Sequence, residues 1–296
     1  MKRMASKWGL VSALFALSVH AAPPEPKKAE AKAAPKLVVV GPAMTQTVFA
    51  LGAGDRVVGV DDSSGALPEA SKVRTVGYQR ALSAEGVLSL GAGLLLGSAE
   101  AGPPAVLEQL KQTGMQVETF ANEPTVEAAR ARIQTVADRL GTPDRGRALV
   151  AKLDEDLARA AGRVTAAKGT KPPRILAVYA RGAGTMMVAG SGSVADTLIR
   201  LSGAVNAVGD LKGYKPLSAE AVVAAAPDFV LLPAGSVESV GGAEGLARQP
   251  GLSQVKGWKL VTVDDVDFMG LGPGLGKAVG RLQDGVLPAA GKGGGK

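Results

Sequence analysis

The sequence predicts an α/β protein: two Rossmann-like lobes, joined by a single long α-helix, with a ligand cleft between them. Three observations predict this. Short apolar β-rich runs alternate with helical patterns. Residues 125–168 show helical spacing and no strand. A segment beginning at Gly77 returns in altered form at Gly213, one copy on either side of that helical stretch.

In chain order, the first element is a leader. MKRMASKWGLVSALFALSVH places Lys2, Arg3 and Lys7 before an apolar run over 8–19, with small residues around Ala21. This pattern predicts a secretory signal peptide over 1–21, cut after Ala21. A membrane anchor competes with it, but the apolar run is short for a bilayer span. Residues 22–36, rich in Pro, Ala and Lys, read as a flexible linker.

The N-terminal lobe is expected over 37–124, with buried strands in KLVVVG (36–41), RVVGVD (56–61), LLLGS (94–98) and QVETF (116–120). The helical segment is expected over 125–170. In it Val126, Ala129, Ile133, Val136 and Leu140 share one face, and Gly141 stops that helix. Thr142 is the expected N-cap and Pro143 the first residue of a second helix. That helix would be roughly 36 Å long, which suits a rod between lobes. The C-terminal lobe is expected over 171–290, with strands in RILAVYA (174–180), FVLLP (229–233) and KLVTVD (259–264), followed by a tail over 291–296.

The repeat pairs GYQRALSAEGVLSLGAGLLL (77–96) with GYKPLSAEAVVAAAPDFVLL (213–232). Each runs from Gly-Tyr through Leu-Ser-Ala-Glu and an apolar helix into a strand. In both copies Ser can cap the helix, with Glu in its first turn. Tyr78 and Tyr214 then occupy corresponding loops, where ligands of open α/β sheets sit.

Composition narrows the chemistry. There is no cysteine in the 296 residues, and the lone histidine, His20, lies in the leader. Removing that leader leaves neither His nor Cys, which excludes disulfides, thiol nucleophiles, His-dependent serine catalysis and most zinc sites. The formal charge of +7 sits largely in the leader, linker and tail, so it is a poor argument for nucleic acid binding. GPGLG (272–276) and GSGSVAD (190–196) lack a dinucleotide fingerprint and read as turns. Ser253 and Lys256 have serine–lysine hydrolase spacing without that class's other motifs. Asp61-Asp62 and Asp264-Asp265 read as solvated turns that could also hold a cation.

Tyr78 with Arg80 is the remaining candidate. A phenolate oxygen ligates ferric haem iron. A guanidinium donating to that oxygen would stabilise the anion against its ordinary pKa near 10. The alternative is a tyrosine packing a loop against a helix, with Arg80 solvated.

VGYQRALSAEGVLSL and AGPPAVLEQLKQTGMQV (101–117) resemble the periplasmic haem-binding proteins of haem-uptake ABC transporters, within the class III binding proteins built around a helical backbone. ARGAGTMMVAGSGSVADTLIRLSGAVNAV (180–208) and the second repeat copy are similar to the second lobe of that family, and the resemblance covers about 36–285. It implies a non-catalytic carrier in which Tyr78 ligates ferric haem b, held as a transported ligand, and Arg80 tunes the phenolate or meets a propionate. It places Arg181, Tyr214 and Lys215 on the opposite wall. It implies a soluble periplasmic monomer that delivers haem to an inner-membrane permease and ATPase complex, downstream of an outer-membrane haem receptor. Glu100 and Glu238 are candidate docking residues. Where the family often has an arginine after Gly-Pro, this chain has Gly274. Some relatives stack two haems using a second-lobe histidine; with no histidine left, Tyr179, Tyr214 or a methionine would have to serve. A ferric siderophore or cobalamin binder is the rival on the same fold.

Overall fold

The computed structural model describes residues 34–167, 169–181 and 185–287. The expected leader, most of the linker and the tail lie outside these residues. Strand β1 (Leu37–Val40) leads into helix α1 (Pro42–Ala50), with proline at the first helical position. After β2 (Val57–Val60) come α2 (Ala84–Leu88), β3 (Leu94–Ser98), α3 (Pro104–Gln112) and β4 (Gln116–Phe120). The four strands form one parallel sheet in the order β2-β1-β3-β4. β1 and β3 are buried on both faces, and their alternate residues separate into two cores. Leu37, Val39, Leu94 and Leu96 pack in one; Val38, Val40 and Leu95 pack in the other. β4 was expected to be buried, but it is the edge strand, and Gln116 and Thr119 are exposed.

Helix α4 (Val126–Leu140) starts on a Thr125 cap, whose hydroxyl accepts Ala128 N–H at 3.1 Å. It ends at Gly141, whose φ of 76° only glycine adopts freely. Helix α5 (Pro143–Ala166) follows at once and is the long rod. Thr142 is the N-cap residue of α5 as expected, its carbonyl accepting Gly146 N–H at 3.1 Å, but its side chain makes no capping hydrogen bond. Its N–H bonds Ala137 O at 2.8 Å and its hydroxyl points to the same carbonyl, so Thr142 closes α4 as well.

The second sheet is built from β5 (Arg174–Arg181), β6 (Thr185–Ala189), β7 (Val205–Asn206), β8 (Tyr214–Pro216), β9 (Phe229–Pro233) and β10 (Lys259–Val263). Its order is β10-β9-β5-β6-β8, with β7 paired to β5. β10, β9, β5 and β7 run parallel; β6 pairs antiparallel to β5, and β8 pairs antiparallel to β6. Helices α6 (Val194–Leu201), α7 (Ala219–Ala225), α8 (Ser236–Ser239), α9 (Gly242–Ala247), α10 (Asp265–Met269) and α11 (Leu275–Val286) complete this half. Both repeat copies cap as expected: Ser83 accepts Gly86 N–H, and Ser218 accepts Ala221 N–H.

The two halves share hydrophobic cores. Ala129 and Ile133 of α4 pack with Leu153, Ile175, Leu198 and Phe268, while Val136, Ala137 and Leu140 of the same helix pack with Leu37, Val48 and Leu94. Val266 of α10 also enters the core around β1 and β3. Helix α11 lies against α5 at Gly276, where an added Cβ would come within 2.4 Å of the Asp156 Cβ and 3.2 Å of backbone. Gly276→Val is therefore expected to cost about 1–3 kcal/mol in chemical denaturation. Gly280→Ala, where a Cβ meets open space, should be neutral or stabilise by up to about 1 kcal/mol.

Candidate ligand cleft

The carboxyl ends of the first sheet's strands supply one wall. Gly41 follows β1, Asp61 follows β2, Ser98 ends β3 and Asn122 follows β4. Asp61 is fully buried, contrary to the solvated turn expected. Its carboxylate accepts Gly41 N–H at 2.7 Å, Ser63 N–H at 3.0 Å and the Ser64 hydroxyl. It organises the loop after β2 and the start of α1. Among the described residues no cluster of three metal-ligating side chains occurs.

Tyr78 stands on a tight turn. Gly77, at φ 93°, lets the chain reverse after Val76. Ala81 N–H then bonds Tyr78 O at 2.8 Å, which closes a four-residue turn with Gln79 and Arg80 in its middle. The turn is braced from behind: Gly102 N–H bonds Gln79 O at 2.9 Å and Leu82 N–H bonds Gly102 O at 2.8 Å. Tyr78 is half-buried and Arg80 exposed. Gln79 lines a small cavity of about 20 Å³, together with the start of α1, Ser98, Asn122, Arg132 and Met269.

The other wall belongs to the second sheet. A hollow of about 280 Å³ is lined by Tyr179 and Ala180 at the end of β5, by Pro233, by Gly235, Ser236 and Ser239, and by Asp265 and Met269. Tyr179 stacks on Phe268 at 6.3 Å and meets Tyr214 edge-on at 6.4 Å. Tyr214 thus reaches the hollow only through its contact with Tyr179, and it lies on strand β8 rather than on a loop. The second copy has one residue fewer between Tyr and Leu, and its Pro216 extends the chain where the first copy turns. Lys215 is exposed on the same strand. Arg181 ends β5, and its side chain lies outside the described residues.

Met269 lines both the small cavity and the larger hollow, so it marks where the two walls meet. Sequence reasoning missed it, because a lone methionine in a short helical run carries no signal of a cleft. It also missed Gln46 and Arg132, which cross the seam. Gln46 accepts Gly274 N–H at 3.0 Å and donates to Asp267 at 3.3 Å. A Cβ at Gly274 would lie 2.7 Å from the Gln46 amide nitrogen and 2.8 Å from an Asp267 oxygen. Gln46 and Asp267 fill the space that a side chain at 274 would need. Arg132 is 5 % exposed and donates to Ala121 O at 3.0 Å and to Leu271 O.

Of the docking candidates, Glu238 is exposed on α8. Glu100 is half-buried, with one carboxylate oxygen shut off from solvent and unpaired, because its loop folds under the Tyr78 turn. That makes Glu100 a poor docking residue. Asp264 pairs with Arg281, Asp265 accepts Gly235 N–H, and Ser253 and Lys256 are both exposed.

A family model described as periplasmic binding protein matches residues 37–259. Among solved structures, the periplasmic haem-binding protein RhuT from Roseiflexus sp. RS-1, in apo form, is 38 % identical with a TM-score of 0.79, covering 84 % of this chain and 96 % of that one. The periplasmic haem-binding protein BhuT, in complex with two haems, is 40 % identical with a TM-score of 0.78, covering 84 % and 97 %. A periplasmic haem-binding protein from Pseudomonas aeruginosa is 34 % identical with a TM-score of 0.80, covering 87 % and 95 %. An uncharacterised ABC transporter substrate-binding lipoprotein, YvrC, from Bacillus subtilis (strain 168) is 26 % identical over 265 residues, covering 86 % of this chain and 80 % of that protein. Among the described residues no helix is long and apolar enough to cross a membrane.

Although 41 % of Tyr214 is exposed, desolvation leads the causes that push its pKa up to about 12, and Tyr179 adds to it. The folded protein thus holds this proton more tightly than the unfolded chain, whose tyrosines ionise near 10. Its contribution to stability is intact below about pH 10 and fades as pH rises toward 12. A phenolate absorbance titration of the wild type against Tyr214→Phe should show a phenol assigned to Tyr214 ionising near 12; wild-type and variant curves that coincide in that range would contradict this.

Proposed function

This chain belongs to the periplasmic binding protein family, and from that premise we propose that it carries one ferric haem b between its two lobes. It catalyses nothing. The mature chain begins after Ala21, with lobes at 37–124 and 171–290 around the helical segment 125–170. It works as a soluble monomer in the periplasm. It takes up haem that enters through an outer-membrane receptor and hands it to an inner-membrane ABC permease and its ATPase.

One observation carries this reading: Tyr78 opens a braced turn at the carboxyl-end rim of the first sheet, and its neighbour Gln79 shares a cavity with Met269 of the opposite wall. In this reading Tyr78 ligates the iron. A hard phenolate oxygen suits Fe(III). Arg80, two residues on in the same turn, stabilises the phenolate or meets a propionate. Tyr214 and Tyr179 offer flat apolar surface to the porphyrin, and Arg181 and Lys215 are the cationic candidates beside them. Tyr214 keeps its proton to high pH, which makes it a poor phenolate ligand. The strongest support from relatives is that RhuT and BhuT, at 38 and 40 % identity, are haem-binding proteins.

Titration of the mature protein with hemin, followed by visible absorption, should saturate at one haem per chain with a high-spin ferric tyrosinate spectrum. Tyr78→Phe should lose that spectrum and weaken binding at least tenfold, and Arg80→Ala should shift the band without abolishing it. Saturable binding that survives Tyr78→Phe unchanged would move the ligand elsewhere. No hemin binding, with saturable binding of a ferric siderophore or cobalamin, would replace the reading.

A further inference from the structure

We propose that the small cavity beside Gln79 is a carboxylate seat, which receives one acidic arm of the bound ligand; this rests on the haem reading, since haem b carries two propionates. Donors outnumber acceptors in the cavity's polar lining. Arg132 is 95 % buried and its Nε has no partner, although its two terminal nitrogens hold Ala121 O and Leu271 O. Helix α1 contributes its N-terminus, where the N–H groups of Ala43 and Met44 have no carbonyl a turn earlier to bond. The amide N–H groups of Gln79 and Asn122 add to these; the Ser98 hydroxyl donates to Gln79 Oε1 at 3.4 Å and would turn to the incoming carboxylate, and no carboxylate lines the cavity.

A buried guanidinium with an unsatisfied N–H is costly unless something accepts from it. Burial lowers the Arg132 pKa and nearby Glu100 partly restores it. Glu100 faces Arg132 electrostatically but does not hydrogen-bond it, and one Glu100 oxygen is itself buried and unpaired. The arrangement is a guanidinium with an incomplete internal counterion. Asp61 binds the Gly41 N–H and is outside the cavity lining. At about 20 Å³ the cavity holds a water-sized guest. Met269 lines both this cavity and the larger hollow, and a flexible thioether gives way readily to an entering group. The incoming arm takes the place of Glu100 as the partner of Arg132, and Glu100 relaxes toward solvent.

The test compares hemin with hemin dimethyl ester, which keeps the iron and the ring but loses both negative charges. Wild-type protein should bind the ester at least about tenfold more weakly than hemin, the scale of a hydrogen bond to a charged group. Ser98→Ala and Asn122→Ala should narrow that gap by weakening hemin alone. Glu100→Gln should widen it, because removing the competing carboxylate tightens hemin and leaves the ester unchanged. Arg132→Gln should close it; since Arg132 also ties the seam, the other three variants keep the test decisive if this one fails to fold. Equal binding of hemin and ester by the wild type overturns the seat. So does a gap that stays constant across Ser98→Ala, Asn122→Ala and Glu100→Gln, the result expected if the cavity holds water only. Both outcomes leave the haem reading standing. Failure of the wild type to bind hemin overturns the haem reading, and the seat with it.

Discussion

Helix α4 is the constraint on which the rest of the structure depends. One part of it, Ala129 and Ile133, is buried in the core around β5, and another, Val136 to Leu140, in the core around β1 and β3. Interiors pack at near-crystalline density, so a helix committed to two cores cannot leave either without opening voids. α10 makes the reverse commitment: Phe268 packs with the second sheet and Val266 with the first. The two sheets therefore hold a defined separation, and the cleft between their strand ends has a preset width.

Polar contacts across the seam refine that width. Gln46 spans from α1 to the start of α11, and Arg132 spans from the end of β4 to the loop before α11. Both partner sets are buried or half-buried, where an unmet hydrogen bond costs more than it does at the surface. Asp267 shows the tension at this seam. Burial raises its pKa, the Gln46 hydrogen bond opposes that, and nearby Asp264 adds to it. A carboxyl that holds its proton more readily in the folded state makes the seam firmer at acid pH and weaker as pH rises through its folded pKa.

The cleft is asymmetric. The wall of the first sheet is polar, organised by Asp61, the Tyr78 turn and Arg132. The wall of the second carries Tyr179, which stacks on the buried Phe268 and meets Tyr214 edge-on, beside Pro233, Ser236, Ser239 and Asp265.

Much of this was legible in the sequence, for local reasons. Seven strands announced themselves as β-branched and leucine-rich runs, α4 and α5 by helical spacing, and the break between them by Gly141-Thr142-Pro143. Ser83 and Ser218 capped the helices the repeat predicted. Tyr78 stood out because a rare residue sat on a turn with an arginine in reach. What the sequence alone could not determine depended on distant partners. β6 and β8 pair antiparallel on one side of β5, and neither carries a strong strand pattern of its own. Asp61 looks like any acidic turn residue until Gly41, twenty positions earlier, is brought to its carboxylate. Tyr214 moved from loop to strand because one missing residue and Pro216 changed the backbone path. Gln46, Arg132 and Met269 acquire meaning only when α1, α4 and α10 converge at the seam. Local propensity and periodicity decided which elements form, and tertiary packing alone decided which polar side chains meet in the cleft.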